Sequence, residues 1–191
     1  MTPDPGQVFL FSGHMVDRPD RRAPRFPSSM VPAATARIAA ALDALGARPG
    51  DLALSQAAAG GDLLFLEACQ QRGVTCRVYL PFPVPEFIER SVRPSADGEG
   101  WRERFEQVRR QLTEPIHIMT AELGPTPAGT DPFERCNLWL LEAAMAYGAE
   151  RARFICLWNG GGGDGPGGTA HMYREVERRG GAVTHIDTRT L

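Results

Sequence analysis

The stretch Phe154-Ile-Cys-Leu-Trp-Asn-Gly-Gly-Gly-Gly-Asp-Gly-Pro-Gly-Gly-Thr-Ala-His-Met172 decides the fold. It opens as a continuous apolar run, the mark of a strand covered on both faces. At Asn159 it breaks into glycines, and at Thr169 it resumes with helical spacing to about Arg179. Strand, glycine-rich turn and helix in that order make a corner where the first helical N–H groups can meet an anion. The loop is not a P-loop, because no Gly-Lys-Ser/Thr follows. Nor is it the dinucleotide fingerprint, which belongs after the first strand, where this chain has only Ser12-Gly13-His14.

Working outward, strands are expected at Gln7–Ser12, Asp51–Ser55, Thr75–Leu80, Pro115–Met119, Arg153–Trp158 and Ala182–Ile186. Helical patterns fall between them: 33–45, 62–72, 86–92, 101–112, 133–147 and 169–179. Strands alternating with helices imply right-handed crossovers and a mostly parallel sheet. The expected fold is α/β, a Rossmann-like three-layer sandwich of order 3-2-1-4-5 with a sixth strand beyond. Ligands then bind outside the carboxyl ends of the strands, where strand order reverses, between strands 1 and 4.

The 191 residues are read as one domain, with residues 1–6 a mobile Pro/Gly-rich tail. A net charge of −2 argues against a general nucleic-acid binder. No apolar run approaches a membrane span, and the N-terminus has no signal-peptide pattern, so a cytoplasmic protein is expected. Cys69, Cys76, Cys136 and Cys156 form no C-x-x-C pair and read as buried free thiols. No spacing supports a metal site, and no cofactor is expected. No nucleophile elbow or Ser/His/Asp pattern is present.

The candidate binding residues lie where the loops meet the expected crevice. Ser12, Gly13 and His14 close the first strand. Ser55, Gly60, Gly61 and Asp62 carry the second strand into its helix. Asp62 either caps that helix or accepts hydrogen bonds from ribose hydroxyls. Arg135 and Asn137 sit on the first turns of the helix before the fifth strand, where an arginine fork suits phosphate, or else a surface salt bridge. Gly167, Gly168 and Thr169 end the glycine loop, and Thr169 adds a hydroxyl or caps its helix. Arg18, Arg21, Arg22 and Arg25 fall in a long loop between prolines. They are read as solvated charges in preference to a clamp over an anion. His14 and His171 lie at neighbouring loop ends, whereas His117 and His185 read as structural.

Three of these segments resemble motifs of the SLOG superfamily. That Rossmann-like group includes DprA-type proteins, molybdenum-cofactor carriers, LOG-type phosphoribohydrolases and nucleotide-sensing domains of bacterial defence and signalling proteins. Ser55-Gln-Ala-Ala-Ala-Gly-Gly-Asp-Leu-Leu-Phe-Leu-Glu-Ala68 looks like its second-strand motif. Glu134-Arg-Cys-Asn-Leu-Trp-Leu-Leu141 is similar to its Arg-bearing helix, and Gly165-Pro-Gly-Gly-Thr169 to its P-G-G-x-G-T loop. The resemblance implies a nucleotide or nucleotide-derived ligand, with phosphate on Gly167-Gly168-Thr169 and Arg135 and Asp62 lining the pocket. It also implies self-association, hence a homodimer.

The chain departs from the LOG-type enzymes. The x-G before Thr169 is missing, and Met172 stands where their glutamate takes part in N-glycosidic cleavage. The expectation therefore leans to a binding or sensing domain without turnover. A nucleoside-monophosphate N-glycosidic hydrolase and a protein-docking module with a vestigial pocket are the alternatives.

Overall fold

The computed structural model of the chain describes residues 4–161 and 168–191. Six strands form one parallel sheet: β1 (Val8–Gly13), β2 (Leu52–Ser55), β3 (Thr75–Leu80), β4 (His117–Ile118), β5 (Ala152–Trp158) and β6 (Ala182–Asp187). Their spatial order is β4-β3-β2-β1-β5-β6. The described helices are α1 (Val31–Ala44), α2 (Gly61–Gln71), α3 (Val84–Ser91), α4 (Gly98–Arg110), α5 (Met119–Glu122), α6 (Pro132–Met145) and α7 (Thr169–Arg178).

The sheet is buried on both faces, and the period-2 geometry of a strand divides its side chains between two cores. Along β1, Phe9 and Phe11 face one core, with Ile38 and Leu42 of α1, Leu63 and Leu66 of α2, and Phe105 of α4. Val8 and Leu10 face the other, with Leu140 and Leu141 of α6 and Met172 and Val176 of α7. This is the three-layer α/β sandwich that the alternation of patterns requires. Among the described residues no helix is long and apolar enough to cross a membrane.

The place of one strand differs from expectation. Pro115–Met119 was expected beside β1. Only His117 and Ile118 form a strand, and they lie outside β3 at the sheet edge, before the chain turns into α5. β5 takes the place beside β1, pairing with it from Val8↔Ala152 to Gly13↔Leu157. The reason is burial. The two residues of β4 are half-buried, whereas Phe154 to Leu157 are buried without interruption and suit the middle of the sheet. The five longer strands keep the doubly wound order, and the strand-order reversal lies between β1 and β5.

The long loop after β1 is ordered, and it is strapped to the molecule at two places. Asp17 receives the backbone N–H groups of Arg25 (2.8 Å) and Phe26 (2.9 Å) on one carboxylate oxygen. The Phe26 side chain is fully buried. Nearer β1, the backbone of His14–Val16 bonds to the β2–α2 turn: Gly61 N–H to the His14 carbonyl (3.1 Å) and Val16 N–H to the Ala59 carbonyl (3.2 Å). Gly60 makes this approach possible. Its φ is +106°, and a Cβ there would stand 2.7 Å from Val16 N and 2.8 Å from the His14 carbonyl oxygen.

Gly60→Ala therefore combines backbone strain with overpacking, and should lower stability by roughly 2–4 kcal/mol. Gly46 has φ +70° but nothing within 4 Å of its Cβ position, so Gly46→Ala should cost only about 1 kcal/mol. Urea unfolding of both variants checks the ranking. Equal losses would remove the loop contact as the reason for the glycine.

Candidate functional site

The loops at the carboxyl end of the sheet enclose a cavity of about 370 Å³. β1 contributes Ser12 and Gly13, the β2–α2 turn Gln56, the first turn of α2 Asp62, the start of α6 Phe133 and Asn137, and the start of α7 Gly168 and Thr169. It lies where the strand order reverses, the position at which open α/β sheets bind ligands. Among the described residues no side chain caps α2 or α7, which begin after Gly60 and Gly168. Their N-termini carry the positive end of the helix dipole.

Asp62 is the one carboxylate buried in the first turn of α2, 7% exposed at the cavity wall. Burial raises its pKa from 3.8 to about 7. Hydrogen bonds from the Ala58 and Gly13 backbone oppose the rise, because they favour the charged form, but burial outweighs them. The Ala58 N–H bond to its Oδ2 is long, at 3.2 Å. The apolar surroundings have a definite source. Gly61 packs against the Phe11 ring, and Phe11 stacks on Phe65 at 4.8 Å between ring centroids.

Two side-chain bonds tie the cavity wall across distant segments. Ser12 Oγ and Thr169 Oγ1 share a hydrogen bond of 3.2 Å, joining the end of β1 to the start of α7. Gln56 donates from Nε2 to Asn137 Oδ1 at 2.6 Å, joining the β2–α2 turn to α6. The α6 end is itself fixed by Asp131, which caps it by accepting from Phe133 N (2.8 Å) and Glu134 N (2.9 Å).

A second cavity of about 270 Å³ adjoins the first. Gly13, Met15, Arg90, Gly168 and Thr169 line both. Beyond that shared wall the described residues lining the second cavity include Arg18, Arg21, Arg25 and Asp17. His14 lies here. Burial first, then Arg25 and Arg21, lowers its pKa below 6.5. The Asn159 N–H points at its Nε2 (3.3 Å), which requires a lone pair on that nitrogen. Burial also lowers the pKa of Arg25, and the neighbouring Arg21 charge lowers it further.

Six of the residues anticipated from sequence thus meet at the first cavity: Ser12, Gly13, Asp62, Asn137, Gly168 and Thr169. His14 lines the second. Ser55, Gly60 and Gly61 stand behind the wall, Ser55 against Asp62 and the glycines against the β1 loop. Gly167, with most of the glycine loop, lies outside the described residues.

The structure does not bring Arg135 to either cavity. Its guanidinium donates to the carbonyls of Leu123 (2.9 Å), Gly124 (3.1 Å) and Pro125 (3.0 Å), closing the turn after α5. Helix geometry gives the reason. Phe133 and Asn137, four residues apart, share the face toward the crevice, and Arg135 lies roughly 200° round the helix from Phe133. His14 and His171 are engaged separately, His171 with Glu134 at 3.6 Å. Arg90 and Gln56 were not anticipated. Gln56 has a signal in sequence, a single large polar residue in a turn of small ones. Arg90 has none, since it reads as a surface partner of Glu86, with which it does pair at 3.0 Å.

All four cysteines are buried and free. Among the described residues no group of three or more His, Cys, Asp or Glu is arranged to hold a metal ion. Comparison with models of known protein families finds no match, and comparison with curated proteins finds none either.

The raised pKa of Asp62 has a consequence for stability. Its protonated form is favoured in the folded state, so the folded state holds a proton that the unfolded chain has released between pH 3.8 and about 7. The stabilisation is full below pH about 4 and is lost as pH rises to about 7. A shift of this size corresponds to on the order of 4 kcal/mol. Asp62→Asn keeps an acceptor for Ala58 N–H and should flatten this part of the stability–pH curve. Melting temperatures of both proteins from pH 4 to 8 check it, and parallel curves would contradict the assignment.

Proposed function

We propose that this chain is a SLOG-type binding domain for a nucleotide or nucleotide-derived phosphorylated ligand, held at the carboxyl edge of the sheet. The observation that carries the reading is the first cavity. It combines an apolar wall, a buried carboxylate, a fixed amide pair and the start of a helix in one crevice at the strand-order reversal. Ligand sites of this kind are mostly apolar with a few placed polar groups. Phe133 offers a ring face for a base, and it is itself braced edge-on by Phe82 at 5.5 Å. Asp62 accepts hydrogen bonds from ribose hydroxyls. Gln56 and Asn137 present amide groups to the polar edge of the base. Gly168 and Thr169 take a phosphate on backbone N–H groups and a hydroxyl.

One observation favours N-glycosidic hydrolysis as a second reading. Asp62 titrates near 7 inside the cavity, the range in which a carboxyl exchanges a proton with a reacting group at neutral pH. In that case Asp62 protonates the departing base or takes the proton of an attacking water.

The test is a thermal-shift screen with nucleosides, nucleoside mono-, di- and triphosphates, NAD and ADP-ribose, followed by chromatography of the same samples. A ligand at a hundred times its Kd should stabilise the fold by about 2.7 kcal/mol. Asp62→Asn should weaken binding of that ligand by about 1.5–3 kcal/mol, and Thr169→Val by about 1 kcal/mol. Binding with no free base released fits a sensor. Base release that stops in Asp62→Asn moves the assignment to the hydrolase. No shift with any nucleotide at millimolar concentration would refute both and leave a docking role.

A further inference from the structure

We propose that Arg90 is the residue by which this crevice selects an anionic ligand: it leaves Glu86 and pairs with the ligand's phosphate where the two cavities join. This rests on the nucleotide reading of the first cavity. Arg90 stands in the wall that the cavities share, with Gly13, Met15, Gly168 and Thr169. A phosphate at Gly168 and Thr169 therefore occupies the space that the Arg90 side chain borders. Among the described residues Arg90 is the only basic side chain of the first cavity. The two acids described there are already engaged. Asp131 caps α6 by accepting from Phe133 N and Glu134 N, and burial holds Asp62 partly protonated near neutral pH.

Arg90 is presented from a fixed support. It lies on the last turn of α3, and Ala59 N–H ties the end of that helix to the β2–α2 turn by donating to the Ser91 carbonyl at 2.9 Å. Its guanidinium lies over the ring of buried Phe82, 4.5 Å from the centroid. The same ring meets Phe133 edge-on at 5.5 Å. The side chain offered to the base and the side chain offered to the phosphate thus rest on one buried ring. Contact with a ring face is electrostatic and occupies no hydrogen-bond acceptor, so N–H groups of the fork stay available to oxygen.

The partner that Arg90 has in this structure is easily exchanged. Glu86 is one turn earlier on α3, and its Oε1 lies 3.0 Å from Arg90 Nη2, with the two side chains 44% and 54% exposed. An exposed pair of this kind contributes little to stability, so little is lost when it opens. Glu86 lines neither cavity. A phosphate presents two oxygens in the spacing of the guanidinium fork and carries more charge than a carboxylate. The positive end of the α7 dipole lies beside it. Glu86 therefore competes with the ligand for Arg90 and tunes affinity without touching the ligand.

The test is calorimetric titration of adenosine, guanosine, cytidine and uridine, and of their 5′-monophosphates, into wild type, Arg90→Gln, Glu86→Gln and the double variant. Circular dichroism melts check that each variant is folded. Wild type should bind the monophosphate of the recognised base about tenfold or more tighter than the nucleoside. Arg90→Gln should shrink that preference by about tenfold, and Arg90→Lys, which keeps the charge but not the fork, should fall between. Glu86→Gln should tighten monophosphate binding by about two- to fivefold. That gain should vanish in the double variant, because Glu86 acts through Arg90. A preference that is absent in wild type or unchanged in Arg90→Gln overturns the assignment and leaves the nucleotide site standing. A Glu86→Gln gain that persists without Arg90 reports the loss of a nearby negative charge and overturns the exchange. Failure of every nucleoside and monophosphate to bind overturns both the assignment and the reading on which it rests.

Discussion

The close passage of the β1 exit over the start of α2 is the contact on which the crevice depends. Backbone meets backbone there, with no side chain between, because Gly60 has φ +106° and no room for a Cβ. The approach lets His14 accept from Gly61 and lets Ala59 accept from Val16, so a loop and a helix start become one unit. It also sets Gly61 against Phe11, and Phe11 against Phe65. Asp62, the next residue, is consequently held over an apolar floor. Its raised pKa follows from that placement.

Charge is distributed along the crevice in a way that the whole-chain value of −2 conceals. At one end stands a buried carboxyl that burial holds partly protonated near neutral pH. At the other end Arg18, Arg21, Arg25, Arg90 and Asp17 are among the described residues that line the second cavity. Arg77 pairs with Glu114 at 2.9 Å and Arg102 with Glu99 at 2.8 Å. The exposed Arg102–Glu99 pair adds little to stability.

Much of this architecture was legible in the sequence because burial leaves a pattern. The apolar runs at β1, β2, β3 and β5 and the helical spacing of α1, α2, α6 and α7 follow directly from which faces are covered. The glycine pair before Asp62 was legible for the same reason that it exists, a turn with no room for side chains. The position of β4 was not legible. A five-residue run with apolar alternation does not reveal that only two residues pair, or on which edge. Nor was the local structure of the loop after β1. Its order comes from Asp17 and Phe26, two residues nine apart whose contact no local pattern announces. Arg135 shows the converse. Its helix was placed correctly, but the side of the helix depends on which neighbours lie inward, and the carbonyls of 123–125 claim the guanidinium.

The account turns on whether a nucleotide occupies the crevice between β1, α2, α6 and α7. The most direct measurement is a backbone-amide NMR titration with a nucleoside diphosphate. The account predicts saturable shifts concentrated at Gly13, Asp62, Asn137 and Thr169. Shifts confined to the opposite edge around His117 and Trp139, or none at millimolar ligand, would contradict it.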